Sequence, residues 1–299
     1  MQSLRNSMLL IALFLSGSLI NAQIKLAKET NLTQNSSDDR YASYSPDGKH
    51  IVFESNRDGT WQIYLMDTNG SNQKKITSHK SNNRKPTWHP SGTVILFESD
   101  RTGRLQLFTI NTESLEVNQL TKFDKREPLF ADYSPDGKHI AMSLKETDDK
   151  SNIVLIDNNG EIIKKLTDTN LRSHFPRWSS DGKEIVYFSR KDTGNEDDEI
   201  YKLNLETGTE QRLTSWPKHN FCPSWSNDNS KIVYVTSMEN SRPEIYIMDA
   251  NGENQIRITN NNDGDTLPSW SSKEDKLLIT GYRDGNFEIC ELQLKFGKQ

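Results

Sequence analysis

No segment after residue 22 of this chain is apolar enough to cross a bilayer, which argues against a membrane-spanning role. Cysteine is almost absent. Cys222 and Cys290 stand 68 residues apart, too few for a disulfide framework, and are read as two small buried thiols. Neither sign of charge dominates: without Arg5 and the rest of residues 1–22, 36 Lys and Arg face 42 Asp and Glu, a balance that argues against a nucleic-acid partner. Helical periodicity is missing as well, so stacked helical repeats are excluded. The chain has no Gly-x-Ser-x-Gly elbow, no phosphate-cradling glycine loop, no His-Glu-x-x-His and no Cys-x-x-Cys. Six histidines are scattered, and His50 and His139 stand beside turns.

At the N-terminus, Arg5 precedes an apolar run from Met8 to Leu15, and Ile20-Asn21-Ala22 ends it before Gln23. This grammar predicts a secretory signal peptide over 1–22, removed after Ala22, and a periplasmic or secreted product. No cysteine follows the run, so no lipid attachment is expected.

What the chain does have is a repeat. Leu32-Thr33, Ile76-Thr77, Leu120-Thr121, Leu166-Thr167, Leu213-Thr214 and Ile258-Thr259 recur with threonines 44, 44, 46, 47 and 45 residues apart. In the same phase come six aromatic-led turns: YSPDGK from Tyr44, WHPSGT from Trp88, YSPDGK from Tyr133, WSSDGK from Trp178, WSNDNS from Trp225 and WSSKED from Trp270. Proline fixes φ, Asp bonds its own backbone and Gly accepts positive φ, so Ser45-Pro46-Asp47-Gly48 is a tight hairpin turn. An apolar strand follows each turn (IVFES from Ile51, KIVYVT from Lys231), then a third (IYLMD from Ile63, IYIMD from Ile245) and a polar fourth. Four short strands per unit of about 45 residues predict an all-β, six-bladed β-propeller with four antiparallel strands per blade. The units run about 39–77, 83–121, 125–167, 172–214, 219–259 and 263–294. The last lacks a fourth strand while residues 24–33 carry an orphan Leu-Thr, so the N-terminal segment is expected to close the ring.

Residues present in most blades serve the blade, and those that depart in one blade are candidates for function. The Trp or Tyr before each turn is read as interblade packing. The loop chemistry of Arg57-Asp58-Gly59 and Arg283-Asp284-Gly285 is read as turn and interblade ion pairing. Four positions before the aromatic, at one mouth of the channel, stand Arg40, Arg84, His174, Phe221 and Thr266. Aligning Arg126-Glu127-Pro128 with Arg84-Lys85-Pro86, with an insertion at Ala131 to Tyr133, adds Arg126. His219 and Asp265 lie nearby on the opposite side. Arginine forks suit carboxylate or phosphate, so these residues form a candidate site for an anionic partner, or a solvated rim. The acidic loop Asn195-Glu196-Asp197-Asp198-Glu199, with Asp148-Asp149, is a solvated loop or a site for a hard cation such as Ca2+, which the fold does not require.

The stretches SPDGKHIVFESNRDGTWQIYLMDTNG and KIVYVTSMENSRPEIYIMDANGENQIRIT resemble the repeats of the TolB-type propeller superfamily, over essentially all of residues 24–294. TolB itself has an additional N-terminal α/β domain, for which residues 23–38 are too few. Prolyl oligopeptidases carry such propellers with an attached hydrolase domain. Oligogalacturonate lyases resemble the superfamily too and bind a metal through channel histidines, a cluster with no match in this sequence. The resemblance implies an exported, monomeric module of the cell envelope that binds or scaffolds a protein or peptide. The alternative is a polysaccharide lyase or hydrolase acting at the channel mouth. No catalytic residue is carried over.

Overall fold

The computed structural model describes residues 24–194, 197–215, 219–237, 242–272 and 275–297. The expected leader (1–22), Asn195-Glu196 of the acidic loop and Lys273-Glu274 of the sixth turn lie outside them. Six four-stranded antiparallel sheets form the blades of a β-propeller, five of them ordered consecutively from inner to outer strand and the sixth completed by the first strand of the chain. The inner strands are Asp39–Tyr44, Asn83–Trp88, Glu127–Tyr133, Ser173–Trp178, Asn220–Trp225 and Asp265–Trp270. No helix among the described residues is long and apolar enough to cross a membrane.

The middle strands of each blade are buried on both faces because blades pack face to face. Ile51, Val52 and Phe53 are fully buried, as are Ile95, Leu96, Ile185 and Val186. That explains their unbroken apolar runs. The outer strands are short and exposed, as at Lys74–Lys75 and Ile162–Lys165.

The repeated threonine has a specific task. Thr77 Oγ1 donates to Gln62 Oε1 and accepts from the Ile63 amide, both at 2.9 Å, which ties the end of a blade to its third strand. The same clamp joins Thr121 to Gln106, Thr167 to Asn152, Thr214 to Glu199 and Thr259 to Glu244. A buried hydroxyl that satisfies a buried amide is costly to replace, so the Leu-Thr signal recurs in every unit. In the turns, Ser45 Oγ donates to Asp47 Oδ1 at 2.6 Å and accepts from the His50 amide at 3.0 Å, while Gly48 takes φ of 71°.

The ring closes as expected. Lys25–Asn31 pairs antiparallel with Asn286–Lys295 and supplies the outer strand of the sixth blade. Trp88 and Trp178 cross to the preceding blade, donating to the carbonyls of Ser43 and Asp132 at 3.2 Å. Cys222 and Cys290 are free and buried. The arginines of the Arg-Asp-Gly loops correct one expectation. Arg57 reaches Asp39 at 3.0 Å and Arg283 reaches Asp265 at 2.8 Å, in each case an inner strand of the same blade rather than a neighbour.

Candidate functional site

Each inner strand carries a bulge, which turns side chains toward the axis. One residue in each takes a left-handed backbone with φ between 49° and 60°: Tyr41, Lys85, Phe130, Phe175, Cys222 and Leu267. The residue before it defines the mouth position, and register identifies it without ambiguity. Arg40 pairs with Glu54, Arg84 with Glu98, Leu129 with Ser143, His174 with Phe188, Phe221 with Val235 and Thr266 with Thr280.

The third blade therefore offers Leu129, and the expectation for Arg126 is corrected. Arg126 precedes the strand, its guanidinium 5.5 Å from the Phe123 ring. The inner strand of the third blade has no insertion. Tyr133 follows Leu129 by four residues, as Tyr44 follows Arg40, and Phe130 takes the bulge. Asp265 is also displaced from the mouth. It stands one place before Thr266, fully buried, where Arg283 and Asn261 bond it, and burial raises its pKa against the pull of Arg283.

The two remaining arginines form a stacked ladder. The Arg40 guanidinium lies 4.0 Å from the Phe287 ring centre and 5.2 Å from that of Trp61, whose ring is 4.6 Å from the Arg84 guanidinium. Phe287 comes from the sixth blade, Arg40 and Trp61 from the first, Arg84 from the second. All four are partly exposed. Arg40 pairs with Asp38 at 2.8 Å, whereas Arg84 crosses to Glu54 of the first blade at 3.0 Å. Glu54 is fully buried, and its other oxygen accepts the Lys85 amide at 2.6 Å.

The opposite arc is filled by aromatic rings. His174 lies 5.5 Å from Phe130 and 5.7 Å from Phe188, which in turn contacts Phe221. Burial, with Arg172 and Lys85 nearby, lowers the His174 pKa to about 4, so the imidazole is neutral at pH 7. His219 lies apart from it, its Nδ1 3.1 Å from Asp198.

Below this level, the residues immediately before the six aromatics line a cavity of about 190 Å³ to which all six blades contribute. They are Ser43, Thr87, Asp132, Arg177, Ser224 and Ser269.

A family model for the TolB beta propeller domain matches residues 43–195 and 173–299. The chain belongs to that family. An uncharacterized protein of Agrobacterium fabrum, Atu1656, is 30% identical over 149 residues, a stretch covering 50% of this chain and 49% of that one, so the chain spans about half the length of that relative. Among solved structures, TolB from Acinetobacter baumannii superposes with a TM-score of 0.65 at 21% identity, covering 88% of this chain and 65% of that one. Oligogalacturonate lyase from Vibrio parahaemolyticus superposes equally well, with a TM-score of 0.65 at 16% identity, covering 92% and 97%. At these identities the likeness concerns the fold alone.

Within this TolB-like frame the metal question is one of donors. Among the described residues, no three His, Cys, Asp or Glu side chains stand together as a metal site would require. His174 is enclosed by rings. Asp198, the candidate cation ligand of the acidic loop, is buried and bonded by Arg172 and Arg190 at 2.7 and 2.9 Å, which hold its pKa down. Asp148 pairs with Lys145 at 2.7 Å. These contacts neutralise two of the carboxylates of the candidate set, Asp198 and Asp148.

Two further features of the channel leave a signal in the sequence. The residue before each threonine-clamped position is aromatic only in the first and sixth blades, at Trp61 and Phe287. The residue before each aromatic is Ser or Thr in four blades and charged in two, at Asp132 and Arg177.

Proposed function

We propose that this TolB-like propeller is an exported binding module of the cell envelope that engages an anionic protein or peptide through the ladder of Phe287, Arg40, Trp61 and Arg84. The observation that carries this reading is the convergence of those four partly exposed side chains from three blades. Tryptophan and arginine are the residues that dominate binding hot spots, because each brings large area and a directional polar group at low conformational cost. Stacking and the ion pairs with Asp38 and Glu54 hold both guanidinium planes before a partner arrives, so the remaining N–H donors are preorganised for a carboxylate. The opposite arc is packed with Phe130, His174, Phe188 and Phe221, and the Lys85 ammonium there lies 3.8 Å from the Phe130 ring centre and is already paired with Glu98.

The test is quantitative capture from an envelope extract with the wild-type chain and Trp61→Ala as paired baits. The proposal expects one acidic species to be enriched by the wild type, to be depleted with the variant, and to be released as salt is raised. Equal recovery on both baits contradicts it.

A further inference from the structure

The six residues before the strand-ending aromatics form a ring of hydroxyls interrupted by one acid and one base. Blade closure needs neither charge, since Ser or Thr serves the other four blades. Most buried acids elsewhere in the molecule are met by a cation within 3.0 Å, Glu54 by Arg84, Asp39 by Arg57, Asp198 by Arg172 and Asp265 by Arg283, while Glu288 is held by the Thr33 hydroxyl, the Asn35 amide and the Asn286 side chain. Asp132 and Arg177 are different. They come from adjacent blades and face one cavity, yet neither forms an ion pair within 4.0 Å with any described residue. Asp132 accepts only the Trp178 amide at 3.0 Å and the Thr87 hydroxyl at 3.4 Å. Arg177 lies 4.1 Å from the Phe175 ring centre and donates from Nη1 to the Pro176 carbonyl at 3.0 Å, which leaves most of its fork without an acceptor among the described residues. Two further lining groups, Ser43 Oγ and Trp225 Nε1, are buried and lack a partner among the described residues.

We propose that this cavity binds a small zwitterion of the α-amino-acid type, its carboxylate forked by Arg177 and its ammonium held by Asp132. An anion alone would satisfy Arg177 but be repelled by Asp132, and a cation alone would do the reverse. The backbone of an internal peptide segment brings neither charge. Only a molecule carrying both signs within a few ångströms neutralises both groups, and the hydroxyl ring can satisfy its remaining donors and acceptors. Size agrees, because about 190 Å³ falls below the roughly 300–1,000 Å³ of clefts that take drug-sized ligands. Burial raises the Asp132 pKa, with Arg177 the largest opposing influence, so a bound ammonium would also help to keep the carboxylate ionised.

The test is calorimetric titration of the mature chain with glycine and L-alanine, beside acetate and methylammonium as single-charge controls. The expected result is one site per chain for the amino acids and binding at least about tenfold weaker for either control. Asp132→Asn, which keeps an acceptor for the Trp178 amide, and Arg177→Gln should each weaken glycine binding by about tenfold or more. Circular dichroism checks that both fold, and the ligand panel on the wild-type chain decides the matter independently of them. Glycine that produces no heat at millimolar concentration, acetate that binds as well as glycine, or folded variants that bind undiminished would each overturn the proposal.

Discussion

Thr33 Oγ1 donates to the buried Glu288 carboxylate and accepts from the Ile289 amide at 2.9 Å, so the clamp that ends every blade joins the two ends of the chain in the sixth. Glu288 is 3% exposed, and burial raises its pKa against the donors that hold it. Thr33→Val strands the Ile289 amide and leaves the Glu288 carboxylate with only the Asn35 and Asn286 donors on its other oxygen, and should cost about 1–3 kcal/mol. Deleting residues 24–33 also removes buried Ile24 and Leu32 and opens two sheet edges, so it should lower the melting temperature further. Calorimetric melting of the three chains checks the order. A deletion that melts with the wild type would contradict closure by this strand.

His174 gives acid sensitivity with a defined sign. The unfolded imidazole takes its proton near its ordinary 6.5, the folded one only near 4, so below about pH 6.5 protons favour the unfolded chain. This contribution is absent at pH 7 and grows to about 2–3 kcal/mol of lost stability as pH falls toward 4. His174→Phe should flatten that part of the stability profile, measured by urea unfolding from pH 7 to pH 4. An unchanged slope would show that the ring titrates normally.

The strand count, turns and closure are legible in the sequence because each rests on a hydrogen bond repeated from blade to blade, and a repeated bond demands a repeated residue. The bonds of Thr33 to Thr259 are of this kind, and the Ser-x-Asp turn bond recurs in four blades. The mouth is less legible. In the third blade Pro128 draws an alignment toward Pro86, whereas the backbone places Ala131 there, since the bulge needs a left-handed residue and not a proline after it. That shift puts Arg126 in the place that Leu129 holds. Trp61 is hidden for another reason: it comes from the entry to its blade's third strand, and nothing in linear order brings it between Arg40 and Arg84.

The same two arginines should separate in their effect on stability. Side chains at a mouth close no core, yet Arg84 is the ionic partner of fully buried Glu54. Arg84→Ala leaves that acid with the Lys85 amide as its remaining partner and should cost about 1–3 kcal/mol. Arg40→Ala loses a partly exposed pair with Asp38 and should stay within about 0.5 kcal/mol of wild type. Urea unfolding of the two variants checks this, and adding Glu54→Gln should recover part of the Arg84 loss. Equal costs would mean that Glu54 is not held by Arg84.

The central claim, that a partner docks on the ladder of Phe287, Arg40, Trp61 and Arg84, is tested most directly by site-specific photo-crosslinking in the cell envelope. A photoreactive phenylalanine analogue replaces Trp61 in one chain and the exposed Ile163 of an outer strand in another. The account predicts one discrete adduct from position 61, weakened when Arg40→Ala is added, and none from position 163. Adducts from position 163 alone, or the same adduct from both positions, would contradict it.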